Sequence, residues 1–134
     1  VALDIALEID AATDPAQLLA GLYAALADYC APAVPVHSLR EMLDRGWPID
    51  RIFEGPLLER GFIDADELRA ARRRDSLRIS DLIRIVTALP GVAAVKSLKF
   101  RVDGRVSDDW LRSIDADRCA TLDIGRSSIV SHRA

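Results

Sequence analysis

Residues 80–102 read SDLIRIVTALPGVAAVKSLKFRV, and two periods meet in this stretch. Leu82, Ile83, Ile85, Val86 and Leu89 recur at the spacing of one helical face, with Ser80 placed to cap the first turn through its side-chain oxygen. Leu98, Phe100 and Val102 then alternate with Ser97, Lys99 and Arg101, the period of a half-buried strand. Between the two, Pro90-Gly91 ends the helix, because Gly adopts the left-handed conformation of a helix C-terminus at no steric cost. A helix that turns straight into a long strand is a packing corner, with Ser80, Pro90 and Gly91 as its structural residues. Helix and strand packed together in this way predict a mixed α and β domain.

Upstream, Val1, Leu3, Ile5, Leu7 and Ile9 alternate with Ala2, Asp4, Ala6, Glu8 and Asp10, which predicts a strand with one face on a core. Asp14 offers a cap and Pro15 suits the first helical position, so a helix should open there. Its apolar stripe is Leu18, Leu22, Leu26 and Tyr29, and it should stop near Cys30, before Pro32 and Pro35. This strand-helix half and the helix-strand half at 80–102 together predict an α+β sandwich with a ferredoxin-like tendency. Residues 34–74 interrupt the two halves with short helical pieces broken by Gly46, Pro48, Gly55, Pro56 and Gly61, too apolar for a loose linker, and are expected to fold back as a helical insertion. Within it Ser38 can cap a helix bearing Leu39, Met42 and Leu43, and Asp64 to Arg74 resembles a polar helix with an acidic start and a basic end. After the corner, Asp103-Gly104 signals a tight turn, Trp110, Leu111 and Ile114 a strand, and Ile124 to His132 a last one. With 134 residues, one domain is expected. The chain enters a strand pattern at Val1, which predicts a domain cut from a longer chain.

Half of the residues are hydrophobic and 29% are charged, with a net charge of -3, a balance that fits a folded domain and gives no overall attraction to nucleic acid. No apolar run reaches the ~20 residues of a membrane span, and the pattern of a signal peptide is not read from Val1 onward, so neither is expected of these residues. Cys30 and Cys119 lack metal-ligand or disulfide-framework spacing. His37 and His132 are isolated from catalytic partners, and no serine stands in a nucleophile elbow. Gly55 to Gly61 lacks the Lys-Ser/Thr ending of a phosphate loop, and the acidic clusters at Asp64 and Asp115 lack the spacing of a calcium loop. No catalytic residue, cofactor or metal site is therefore expected. The dense basic run Arg69, Arg72, Arg73 and Arg74 fits a solvated face or a salt-bridging protein contact, since no aromatics are interleaved with it. Trp47, Phe53 and Phe62 suit a small core of the insertion in the first place; otherwise Trp47 and Phe53, with the arginines, are anchors for a partner.

The segment from His37 to Val95 resembles the baseplate J-like proteins of contractile phage tails and phage-tail-like injection particles. The words that carry the resemblance are IFEGPLLERGFID at Ile52 to Asp64 and ISDLIRIVTALPGVAAV at Ile79 to Val95, with WLRSI and LDIGRSSI following in order from Trp110 to Ile129. What the resemblance implies is a non-enzymatic baseplate wedge component that works by contacts with other baseplate subunits, a second copy of itself among them. It would be made in the cytoplasm and end in the particle. A small-molecule-binding regulatory domain of ferredoxin-like type is the alternative from another class, because strand, helix, helix, strand also describes such sensors.

Overall fold

The computed structural model describes residues 1–71 and 74–134. They form two compact units: Val1–Ala31 with Arg74–Ala134, and Pro32–Arg73. The first unit contains β1 (Ala2–Ile9), α1 (Pro15–Cys30), β2 (Ser76–Arg78), α5 (Ile79–Thr87), β3 (Val92–Val102), β4 (Arg105–Ser107), β5 (Leu111–Ser113) and β6 (Ser128–Arg133). The second contains α2 (Leu39–Asp44), α3 (Ile49–Phe53) and α4 (Ala65–Ala70). The fold class is α+β, with a four-stranded sheet ordered β4-β3-β1-β6 and a separate pair β2-β5. β1 runs antiparallel to β3 and parallel to β6. This element order is not the β-α-β-β-α-β of a ferredoxin-like domain.

β1 occupies the middle of the sheet because its alternation is complete. Leu3, Ile5, Leu7 and Ile9 are buried against Leu18, Leu22 and Leu26 of α1, Leu82 and Val86 of α5, and Leu98 and Phe100 of β3. Each such side chain contributes about 1.5–3 kcal/mol on leaving water. On the opposite face Glu8 pairs with Lys96 and Asp4 with Arg101, so charges line up across the strands. α1 begins as the residues dictate, with the Asp14 side chain accepting from the Ala16 N–H at 3.0 Å and Pro15 in the first turn. At its other end the Tyr29 hydroxyl donates to Asp81 at 2.9 Å, joining α1 to the first turn of α5. The Arg74 guanidinium lies over the Tyr29 ring at 3.9 Å, and its Nε donates to the Tyr29 carbonyl at 2.6 Å. Burial, foremost, pushes the Tyr29 hydroxyl above its usual pKa.

The corner differs from the sequence reading at its start. α5 opens at Ile79 with Arg78 in the cap position and no side-chain cap, so Ser80 lies inside the first turn. The reason is β2: the chain arrives as a strand paired with β5, and the Ile79 N–H at the head of the helix is taken by the Trp110 carbonyl at 3.0 Å. At the other end Gly91 has φ +91°, and its carbonyl accepts from the Asp10 N–H at 3.0 Å, tying the corner to the end of β1. A Cβ on Gly91 would stand 2.6 Å from the Thr13 side chain.

β3 carries two register shifts against β1, between Ala6 and Leu7 and between Glu8 and Ile9. Such bulges insert an extra residue and break the alternation, which is why VAAVKS does not read as a two-period strand while the segment from Leu98 to Val102 does. Asp103 and Gly104, at φ +49° and +78°, make the two-residue hairpin into β4. The strand expected from Trp110 onward is β5, only Leu111–Ser113, and it pairs with β2 outside the main sheet. The final strand is shifted to Ser128–Arg133 and forms one edge of the sheet.

Candidate assembly surface

The Pro32–Arg73 unit is small, and a chain of this size rarely holds itself together on apolar burial alone. Among its described residues Met42 and Ile52 are the hydrophobic side chains that are buried. A polar network does the rest. His37 is held in a two-bond bridge with Phe62, N–H to carbonyl at 2.7 and 2.8 Å. Gly61 makes this approach feasible: at φ +74° a Cβ there would meet the Val36 side chain and stand 2.9 Å from the His37 carbonyl oxygen. The His37 Nε2 lies 2.6 Å from Glu67 Oε2, while Arg45 donates to Glu67 Oε1 at 2.7 Å. Asp64 caps α4, accepting from the Asp66 N–H at 2.8 Å, and also accepts from the Trp47 indole N–H at 3.0 Å and more distantly from Arg45. The hydrogen bond from His37, then that from Arg45, lowers the Glu67 carboxyl below its ordinary pKa. For Asp64 burial pulls upward, but the Asp66 N–H, the Trp47 indole and the remaining donors together bring it below the usual value.

The network fixes the backbone and leaves apolar side chains outside. Leu39 and Leu43 are exposed one turn apart on α2, where Ser38 and Glu41 form a reciprocal capping box. Ile49 and Phe53 are exposed one turn apart on α3, and Leu57 is fully exposed in the turn that follows. Phe53 is 60% exposed and meets Phe62 edge to face at 5.2 Å. Its expected core role is therefore corrected: one edge of the ring rests on Phe62, and most of it faces solvent.

The other sequence-derived candidates separate. Trp47 is half-buried, with its polar edge committed to Asp64, so it braces the unit from within. Arg69 is exposed on α4 and paired with Asp66 at 3.1 Å. Arg72 and Arg73 lie outside the described residues. Arg74 belongs to the first unit, where it covers Tyr29, and is not part of an open basic run; α4 stops at Ala70, short of the basic end expected for it. The sequence reading missed the His37, Arg45, Asp64 and Glu67 cluster. Its one local signal was Asp64 at the cap position three residues before Glu67.

No group of three or more potential metal-ligating side chains gathers among the described residues, and no helix there is long and apolar enough to cross a membrane. A comparison with curated proteins gives no match. A family model described as Baseplate wedge Pvc12-like domain 3 matches residues 1–120. The chain belongs to that family, and so is a baseplate wedge domain of the phage-tail-like contractile injection systems.

Proposed function

We propose that this domain is a non-catalytic assembly module, one domain of a longer wedge protein, which joins other baseplate subunits through the exposed side of the Pro32–Arg73 unit before the particle is complete. The observation that carries this reading is the apolar set Leu39, Leu43, Ile49, Phe53 and Leu57, exposed on two short helices and the segment after them in a unit braced by a polar network. A surface of this kind loses free energy in water and regains it against a protein partner, with an aromatic anchor such as Phe53 carrying much of the gain. The exposed Arg69 would lie at its polar rim, and the mixture of apolar and paired charged groups suits protein better than nucleic acid. Assembly takes place in the cytoplasm on this reading.

Replacing both Ile49 and Leu57 by Ser tests it, since both are largely exposed and the Phe53–Phe62 pair is left in place. Surface changes of this type leave stability within about 0.5 kcal/mol, so the variant should keep the circular dichroism and unfolding midpoint of the parent and fail to enter reconstituted baseplates. A folded variant that assembles as well as the parent would refute the proposal.

A further inference from the structure

Trp110 is 74% exposed, although its backbone is held firmly. Its carbonyl accepts from the first N–H of α5, and the next residue, Leu111, is paired with Arg78 in the β2-β5 ladder. An exposed indole on a held backbone presents a large contact area, with only the side-chain torsions left to order on binding. Beside it lies a pocket of about 380 Å³ whose floor is Ile79, Ile83 and Leu98. The rim is charged and unevenly satisfied. Asp108 is paired with Lys99, whereas Asp109 accepts only from Ser107, the hydroxyl at 2.7 Å, and meets no cation among the described residues. An apolar floor, an open indole face and an uncompensated carboxylate thus adjoin one another.

We propose that this pocket receives a segment of a neighbouring subunit that carries an aliphatic side chain close to an arginine. The aliphatic group fills the floor, and the guanidinium stacks on Trp110 while donating to Asp109. Arginine suits the position because its planar cation both stacks on an aromatic face and offers directed donors to a carboxylate. A segment with an acidic residue there would meet Asp109 with like charge. The surface lies on a different unit from Leu43 and Phe53, and takes from the assembly reading only that the segment comes from another subunit. Either proposal can fail while the other stands.

The probe is the blocked tripeptide acetyl-Leu-Gly-Arg-amide, titrated into the isotope-labelled chain and followed by nuclear magnetic resonance, with acetyl-Leu-Gly-Glu-amide as its counterpart. Saturable shifts are expected at the Trp110 indole N–H and at Ile83 and Leu98, with the arginine tripeptide about tenfold tighter than the glutamate one. Trp110→Phe assigns the indole signal, and Asp109→Asn should erase the preference while leaving the rest of the spectrum in place. Equal binding of the two tripeptides, absence of shifts at Trp110, or a preference that survives Asp109→Asn would overturn the proposal. So would a dimer in sedimentation experiments that Trp110→Ala abolishes, since the occupant would then be a second copy of this chain.

Discussion

At Gly91 the conformation and the surroundings make separate demands. The positive φ disfavours any side chain by about 1–2 kcal/mol, and Thr13 stands where a Cβ would go. Gly91→Ala should therefore lower the urea midpoint, and adding Thr13→Gly should recover only the part due to contact, leaving the backbone part in place. Tyr29 offers a second measurable case, since Tyr29→Phe keeps the ring under Arg74 but takes the donor from Asp81. A cost of about 1–2 kcal/mol is expected in chemical unfolding. Gly91 could be read from sequence because Pro-Gly after an apolar helical stripe is a local signal. Thr13 could not, because it reaches the corner through the fold; nor could the stacking of Arg74, which the linear run of arginines assigned to a surface patch.

Whole elements were legible where their cause is local. The alternation of β1, the cap and stripe of α1 and the face of α5 are written in consecutive residues, and all three stand in the fold. β2 is three residues long, and its pairing with β5 brings the Trp110 carbonyl to the head of α5, which no period announces; with it went the expected Ser80 cap. In the Pro32–Arg73 unit short helices were legible, but the polar cluster that organises them joins residues from three separate pieces of chain. That cluster gives the unit a defined response to acid. Glu67 and Asp64 titrate below their ordinary values when folded, so folding favours their ionised forms. The stabilisation is present above the ordinary carboxylate range, about pH 4, and is lost as pH falls through the depressed values. The Trp47 indole resonance should leave its native position in that acid window. Glu67→Gln should flatten the acid dependence while weakening the unit at neutral pH, and an unchanged acid profile would show that the Glu67 contacts add nothing to the folded state.

For the molecule as a whole, composition predicted a folded domain and nothing more specific, whereas the phrase ISDLIRIVTALPGVAAV and its companions pointed to the baseplate. The matched family agrees on that role, because recurrent packing words preserve ancestry even where no catalytic residue marks a function. The two tryptophans show the limit of such reading: Trp47, read first as a core residue and otherwise as a partner anchor, turns inward but through a polar network, and Trp110, expected within a strand, stands in solvent. The sheet order has a kinetic consequence. Leu3 pairs with Phe100 and Ile5 with Ile129, so the strand of this domain that is made first is the last to find both neighbours. Contacts so distant along the chain slow folding into the range of milliseconds to seconds, and until then β1 is an apolar strand with bare edges. A chain ending before Ser128 should scatter light on refolding where the 134-residue chain stays clear. Synthesis of this domain thus contains an interval of vulnerability whose length is set by the time needed to translate from β1 to β6.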